Sequence, residues 1–195
     1  GRSRANAVTE NKLAEAKANA VSASNALTHL SDNEKTSFKD KVAATKADDA
    51  ISAIVSEAKT RDTVIASQYT AVTRIMGLEY LSDSRKSEFV LQIQNATDES
   101  SIQQILDAAA SEEPAAKELY DLKNVALNTV EGYPHISDDV KIAAATEIKN
   151  ATSKDEVERL ISDLQHKEEQ AIKDELIAAK NNANSTIKAM KFLQA

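Results

Sequence analysis

The chain has 195 residues and a net charge of −7, with 4% aromatic residues, three Gly, two Pro and neither Cys nor Trp. Interspersed acids and bases leave no basic footprint for nucleic acid, and too few rings remain to stack single-stranded bases. Without Cys there is no disulfide scaffold, no polybasic patch suits anionic lipid, and no apolar run approaches the roughly 18 residues of a membrane span.

Gly1-Arg2-Ser3 reads as a cloning remnant, so the chain is expected to be cut from a longer protein, and a missing signal peptide says nothing about secretion. From there Leu13, Ala20, Leu27 and Leu30 mark one face of a first helix. Ser31, with Glu34 three residues on, forms a capping box and starts a second helix that buries Phe38 and Val42. A third helix buries Ile51, Ile54, Val55 and Ala58, with Asp48 or Thr45 as its cap.

The same pattern then returns. Leu30-Ser31-Asp32 with Lys35 and Phe38 becomes Leu81-Ser82-Asp83 with Lys86 and Phe89, then Ile136-Ser137-Asp138 with Lys141 and Ala144. Positions below are counted from the Ser of each repeat. Ser82 and Ser137 are read as helix caps like Ser31, keeping the acid at +1 but lacking the Glu at +3. Helix 2 is expected over +4 to about +14. Thr97 and Thr152, each after Asn-Ala, are read as the caps of helix 3.

Each repeat therefore predicts a three-helix bundle, and repetition sets the architecture. No Gly or Pro lies between Asp48 and Met76, so helix 3 of module 1 runs into helix 1 of module 2. From Thr152 onward another uninterrupted helix of ~40 residues would span ~60 Å. Between these two, Ser111-Glu112-Glu113-Pro114 predicts a kink or short break. The tail repeats helix 1 once more, with Leu176, Ala179, Ala183, Ile187, Met190 and Leu193. The expected fold class is all-α: tandem three-helix bundles joined by shared long helices into an elongated rod. Modules occupy 5–60, 61–111 and 112–166, and 167–195 is the first helix of a fourth.

Catalytic and metal chemistry find little support. His29, His135 and His166 have no His or Cys partner at ligand spacing, so catalytic, metal and cofactor-binding residues are all read as none. His29 and His135 share position −2 and are read as half-buried rings packing a turn, with contact to a ligand as the alternative. Glu112-Glu113 and Glu168-Glu169 are read as solvated surface, since neighbours on a helix point apart. Gly77 and Gly132 share position −5, which suggests a left-handed helix end. Asn95, Asn150 and Asn184 match the N-glycosylation pattern, the first two better explained by helix starts just beyond them and the third lying mid-helix. Lys35, Lys86 and Lys141 stand near a positive helix end without an obvious stability rationale. They are the candidate ligand-binding residues, as a periodic contact to an acidic partner. The plainer alternative is local pairing with Asp32, Asp83 and Asp138 or with a neighbouring helix.

At the Leu-Ser-Asp-x-x-Lys-x-x-Phe signature, with Val42 or Ile93 four residues further on and Ala-Thr before helix 3, the modules resemble the GA and FIVAR repeats of giant extracellular matrix-binding proteins of staphylococci and related Gram-positive bacteria. The likeness covers about residues 8 to 195. It implies a secreted adhesin on the cell surface or cell wall, monomeric, binding the host matrix protein fibronectin or, less expectedly, serum albumin. The stretches Thr28-His29-Leu30-Ser31, Glu79-Tyr80-Leu81-Ser82 and Pro134-His135-Ile136-Ser137 do not match the approach to helix 2 of albumin-binding modules. Three functions compete. A multivalent adhesin binds weakly per module, a spacer or cell-wall scaffold binds nothing, and an enzyme would need pocket residues that are missing.

Overall fold

The computed structural model describes residues 2–195, and Gly1 of the expected cloning remnant lies outside them. Seven α-helices and no strand occur among the described residues: α1 (Arg2–Asn25), α2 (Asp32–Ala44), α3 (Asp48–Met76), α4 (Asp83–Asn95), α5 (Glu99–Glu131), α6 (Asp138–Asn150) and α7 (Lys154–Gln194). The chain divides into two compact units, 1–112 and 113–195. The first holds α1, α2, α3, α4 and the start of α5; the second holds the rest of α5, then α6 and α7.

Helix 2 has the same length in all three modules because the same Ser starts it. Ser31, Ser82 and Ser137 are all extended, with ψ of 160°, 152° and 153°. Ser31 Oγ accepts from the Glu34 amide at 3.2 Å, while Glu34 Oε2 accepts from the Ser31 amide at 3.0 Å, closing the capping box. Ser82 Oγ accepts from the Arg85 amide at 3.2 Å. Ser137 holds the cap position, yet its side chain makes no capping bond, which corrects its reading as a side-chain cap. Asp138 and Asp139 place charge at that helix end instead. Helix 2 begins at +1, three residues before the expected +4. In modules 1 and 2 its first turn is polar all round, so apolar periodicity is silent there.

The third-helix caps also need correction. Thr97 does not cap α5; Asp98, one residue later, accepts from the Ser101 amide at 2.7 Å. Thr152 does not cap α7; Ser153 does, accepting from the Glu156 amide at 3.2 Å. Asp and Ser are better N-caps than Thr, and each helix starts from the better cap one residue on. For α3 neither Asp48 nor Thr45 caps: the cap position is Ala47, without a side-chain bond, and Asp48 and Asp49 fill the first turn.

Of the kink or short break expected at Pro114, the break is absent, since α5 continues through it. Proline inside a helix removes one backbone bond, at a cost of about 3 kcal/mol. Burial of Leu106 and Ala109 before it, and of Ala126 and Val130 after it, holds both arms helical. Gly77 and Gly132 do end helices, but neither is left-handed: among the described residues no φ is positive, and Gly77 has φ −80°. The turn leads directly into the extended Ser, so a right-handed last residue suffices.

The core follows the repeat register. Helix 1 buries Ala at −11 in every module, as Ala20, Ala71 and Ala126. Positions −1 (Leu30, Leu81, Ile136), +11 (Val42, Ile93, Ile148) and +20 (Ile51, Ile102, Val157) are likewise buried throughout. In module 1, Leu30 packs with Phe38 and Ala58, and Ala20 packs with Val42 and Ile51. In module 3, Ala126, Val130, Ile136, Ile148 and Val157 share one cluster.

Position −7 breaks the rule. Modules 2 and 3 bury Ile75 and Val130 there, while module 1 buries Ser24 at 1% exposure, with no hydrogen-bond partner for its Oγ. A buried hydroxyl without a partner costs about 1–3 kcal/mol. Ser24→Ala is expected to stabilise the protein by roughly 1 kcal/mol in urea unfolding. An unchanged or lower midpoint would show that this hydroxyl is satisfied in solution.

Candidate functional site

The side chains that recur outside the core converge on the ends of helix 2. The approach to it leaves two amides, at −2 and −1, that belong to neither helix. In module 1, Asp62 of α3 receives both: His29 N donates to Oδ1 at 2.7 Å and Leu30 N donates to it at 3.1 Å. The His29 ring Nδ1 lies 3.2 Å from Oδ2. In module 3, Glu168 of α7 accepts from the His135 amide at 3.0 Å and is 7% exposed. Asp62 and Glu168 both stand at +31, as does Glu113 in module 2. Glu168 is therefore not solvated surface, because it closes the helix 1–helix 2 turn.

A second contact seals the far end of helix 2. Position −14 of helix 1 is Lys17, Gln68 or Lys123. Lys17 Nζ donates to the Ala43 carbonyl at 2.8 Å and Lys123 Nζ to the Lys149 carbonyl at 2.9 Å. Gln68 Nε2 reaches the carbonyls of Ile93, Gln94 and Ala96 at 3.0, 3.1 and 3.0 Å. These carbonyls lie in or just past the last turn of helix 2, where the amide donors four residues on run out.

The candidate ligand contacts Lys35, Lys86 and Lys141 are half-buried rather than exposed. Lys35 Nζ donates to the Asn25 carbonyl at 3.4 Å, and Lys141 Nζ to the Glu131 carbonyl at 3.2 Å. Both acceptors are the last residue of helix 1, where a cation also meets the negative end of the helix dipole. The lysine near one positive helix end thus serves the negative end of the helix before it.

The third recurring feature is an ion pair between +3 and +30 whose sign alternates. In module 1, Glu34 accepts from Arg61 Nε at 2.9 Å. In module 2 the charges are exchanged: Arg85 donates to Glu112 at 2.8 and 2.6 Å, also pairs with Glu88, and lies 4.3 Å from the Phe89 ring centroid. Glu112 is thus paired, while its side chain stays partly open to solvent. Module 3 carries Val140 and Lys167 at these positions.

Among the described residues no group of His, Cys, Asp and Glu is arranged to hold a metal. The His29 and His135 side chains are 41% and 33% exposed, and each ring meets a carboxylate, His135 Nδ1 lying 2.7 Å from Glu175. Open grooves follow the helix seams, one lined by Glu34, Phe38, Arg61 and Val64 and another by Ala16, Ala20, Ile51 and Val55.

Several carboxyls carry the imprint of these contacts. Burial works to raise Asp62, but the amides of His29 and Leu30 and the His29 ring outweigh it, and the carboxyl lies below its ordinary range. The Ser31 amide and the Arg61 guanidinium hold Glu34 low, and Arg85 does the same to Glu112. A carboxyl lowered on folding takes up its proton more readily unfolded, so it stabilises the fold above the ordinary carboxylate range near pH 4. That contribution is lost as pH falls through the lowered folded value.

This arrangement defines a tandem array of three-helix modules, each closed by its own polar contacts. Comparison with known proteins gives the class a name. The GA module family matches residues 10–64, 66–111 and 116–169, and the chain belongs to that family. A solved domain of EbhA from Staphylococcus aureus is similar at 21% identity and a TM-score of 0.46, covering 79% of this chain and 72% of that one. No curated protein matches.

Two outcomes are expected at these contacts. Asp62→Ala strands two amides and should cost about 1–3 kcal/mol at neutral pH, with the loss shrinking towards acid pH. A pH-independent loss in urea titrations from pH 3 to 7 would refute the carboxylate's role. Arg85→Glu should lower the melting temperature by facing Glu112, and Arg85→Glu with Glu112→Arg should recover most of it, since the pair is rebuilt in the module 1 sense. No recovery in the double variant would show the pair to be inert.

Proposed function

We propose that this chain is a repeat segment of a secreted, wall-associated surface adhesin of a Gram-positive bacterium, which binds host fibronectin through weak contacts summed over modules. The observation that carries the reading is three GA modules in tandem, each burying the same apolar positions of the repeat. Tethered copies raise effective concentration, so contacts too weak to hold singly can give firm attachment. The matrix protein is inferred from the resemblance of the repeat signature to matrix-binding proteins. Open grooves along helix seams suit an extended protein partner better than an enclosed small molecule. Catalysis has no residues to assign to it.

One observation favours a second reading, a spacer that binds nothing. Two of the three lysines proposed as ligand contacts already cap helix 1. Their recurrence is then explained by folding.

Surface-immobilised fibronectin, with albumin alongside, separates the two when titrated with the whole chain and with residues 113–195, which carry one module. The adhesin reading expects an apparent affinity for fibronectin roughly a hundredfold higher for the three-module chain. Equal affinity would remove the multivalent mechanism, and no binding to either protein would leave the spacer. Charge reversal of Lys35, Lys86 and Lys141 together should weaken fibronectin binding beyond any loss of helicity seen by circular dichroism. Unchanged binding would confine these residues to capping.

A further inference from the structure

The second half of α7 carries an apolar face that nothing among the described residues covers. Leu176, Ile187, Met190 and Leu193 are exposed, Leu193 at 83%. In the repeat register they stand at −18, −7, −4 and −1, with Ala183 at −11. Their counterparts in the modules are core residues: Ala20 and Leu30, Ala71 and Ile75, Ala126 and Ile136 are all buried.

The modules also show what belongs on such a face. Leu27 and Leu30 pack with Phe38 of helix 2 and Ala58 of helix 3, while Leu13, Ala16 and Ala20 pack with Val42 and Ile51 of the same two helices. A polar feature agrees independently. Position −14, which seals the end of helix 2 in all three modules, is Lys180 on α7, and it is exposed. An apolar stripe for general stickiness would need neither the small Ala at −11 nor the amine at −14. The first half of α7 is already fixed, with Val157, Leu160 and Leu164 buried in module 3.

We propose that residues 176–193 of α7 form a docking surface for a helix 2–helix 3 pair of the GA type, which completes a fourth three-helix module upon it. The Phe at +7 and the apolar residues at +11 and +20 of the incoming pair cover the stripe, and its helix 2 carbonyls receive Lys180. A second copy of the chain is a poorer occupant, because its own helix pairs are already covered by their own first helices. The surface is independent of what the modules bind.

The test uses the intact chain and a fluorescent synthetic peptide with the sequence of residues 31–66. Saturable one-to-one binding by anisotropy is expected, with slower amide hydrogen exchange over 176–193 and not elsewhere. Ala183→Asp and Ile187→Asp should each weaken binding about tenfold or more by placing a charge in an apolar contact. Both lie outside the module cores, so circular dichroism melting of the three modules should not change. Lys180→Glu should weaken binding several-fold. Unaltered exchange at millimolar peptide, or full binding by both Asp variants, overturns the proposal. So does a doubled sedimenting mass of the chain alone that Ile187→Asp abolishes, which assigns the face to a second copy.

Discussion

Two amides that have left one helix and not yet joined the next set the main constraint on each module. At His29 and Leu30 the backbone turns sharply beside the core, and water reaches the second of them poorly. A stranded amide there would offset much of what so small a bundle gains by burial. One carboxylate, delivered from helix 3 some thirty residues later, answers both. Placing Asp62 correctly requires helix 3 to be in register, which requires Ile51 and Ala58 to be seated against helices 1 and 2. The turn and the core therefore form together, and a slip in either exposes the other.

The remaining polar contacts obey the same logic of helix ends. Helix 2 is only 13 residues long, too short to persist alone, and each of its ends has its own polar support. Its start is held by its own Ser and acids. Its finish is held by the Lys or Gln at −14. Lys35 and Lys141 reach back to the end of helix 1 from the first turn of helix 2. Polar residues here do the joining that Gly and Pro turns do in other folds, which is why a chain with three Gly and two Pro can reverse direction repeatedly.

The fold was legible because its apolar residues keep register across the repeats. Ala20, Ala71 and Ala126, or Ile51, Ile102 and Val157, identify helix faces without any structure. Caps were legible only to within a residue: Asn-Ala-Thr is as good a start signal as Ala-Thr-Asp until the geometry selects Asp98. Pro114 misled because its local cost is certain while the burial on either side that meets it is a tertiary fact. Of the polar contacts, the acid at +31 and the amine or amide at −14 recur plainly enough to be found by alignment of the modules. Their meaning was hidden, since a surface helix also carries acids and amines at regular spacing. Glu168 looked like one of a pair of solvated acids, and only its neighbours show that it faces inward.

The exchange of sign between Glu34–Arg61 and Arg85–Glu112 has a consequence for how neighbouring copies sort themselves. Tandem repeats with near-identical cores are prone to trade helices during folding, since each third helix fits the wrong second helix almost as well as the right one. Here a third helix from module 1 laid on the second helix of module 2 sets Arg61 against Arg85. The opposite trade sets Glu34 against Glu112. Between modules 1 and 2 like charges meet in either error and opposite charges only in the correct pairing, so these two are keyed differently while their cores stay interchangeable.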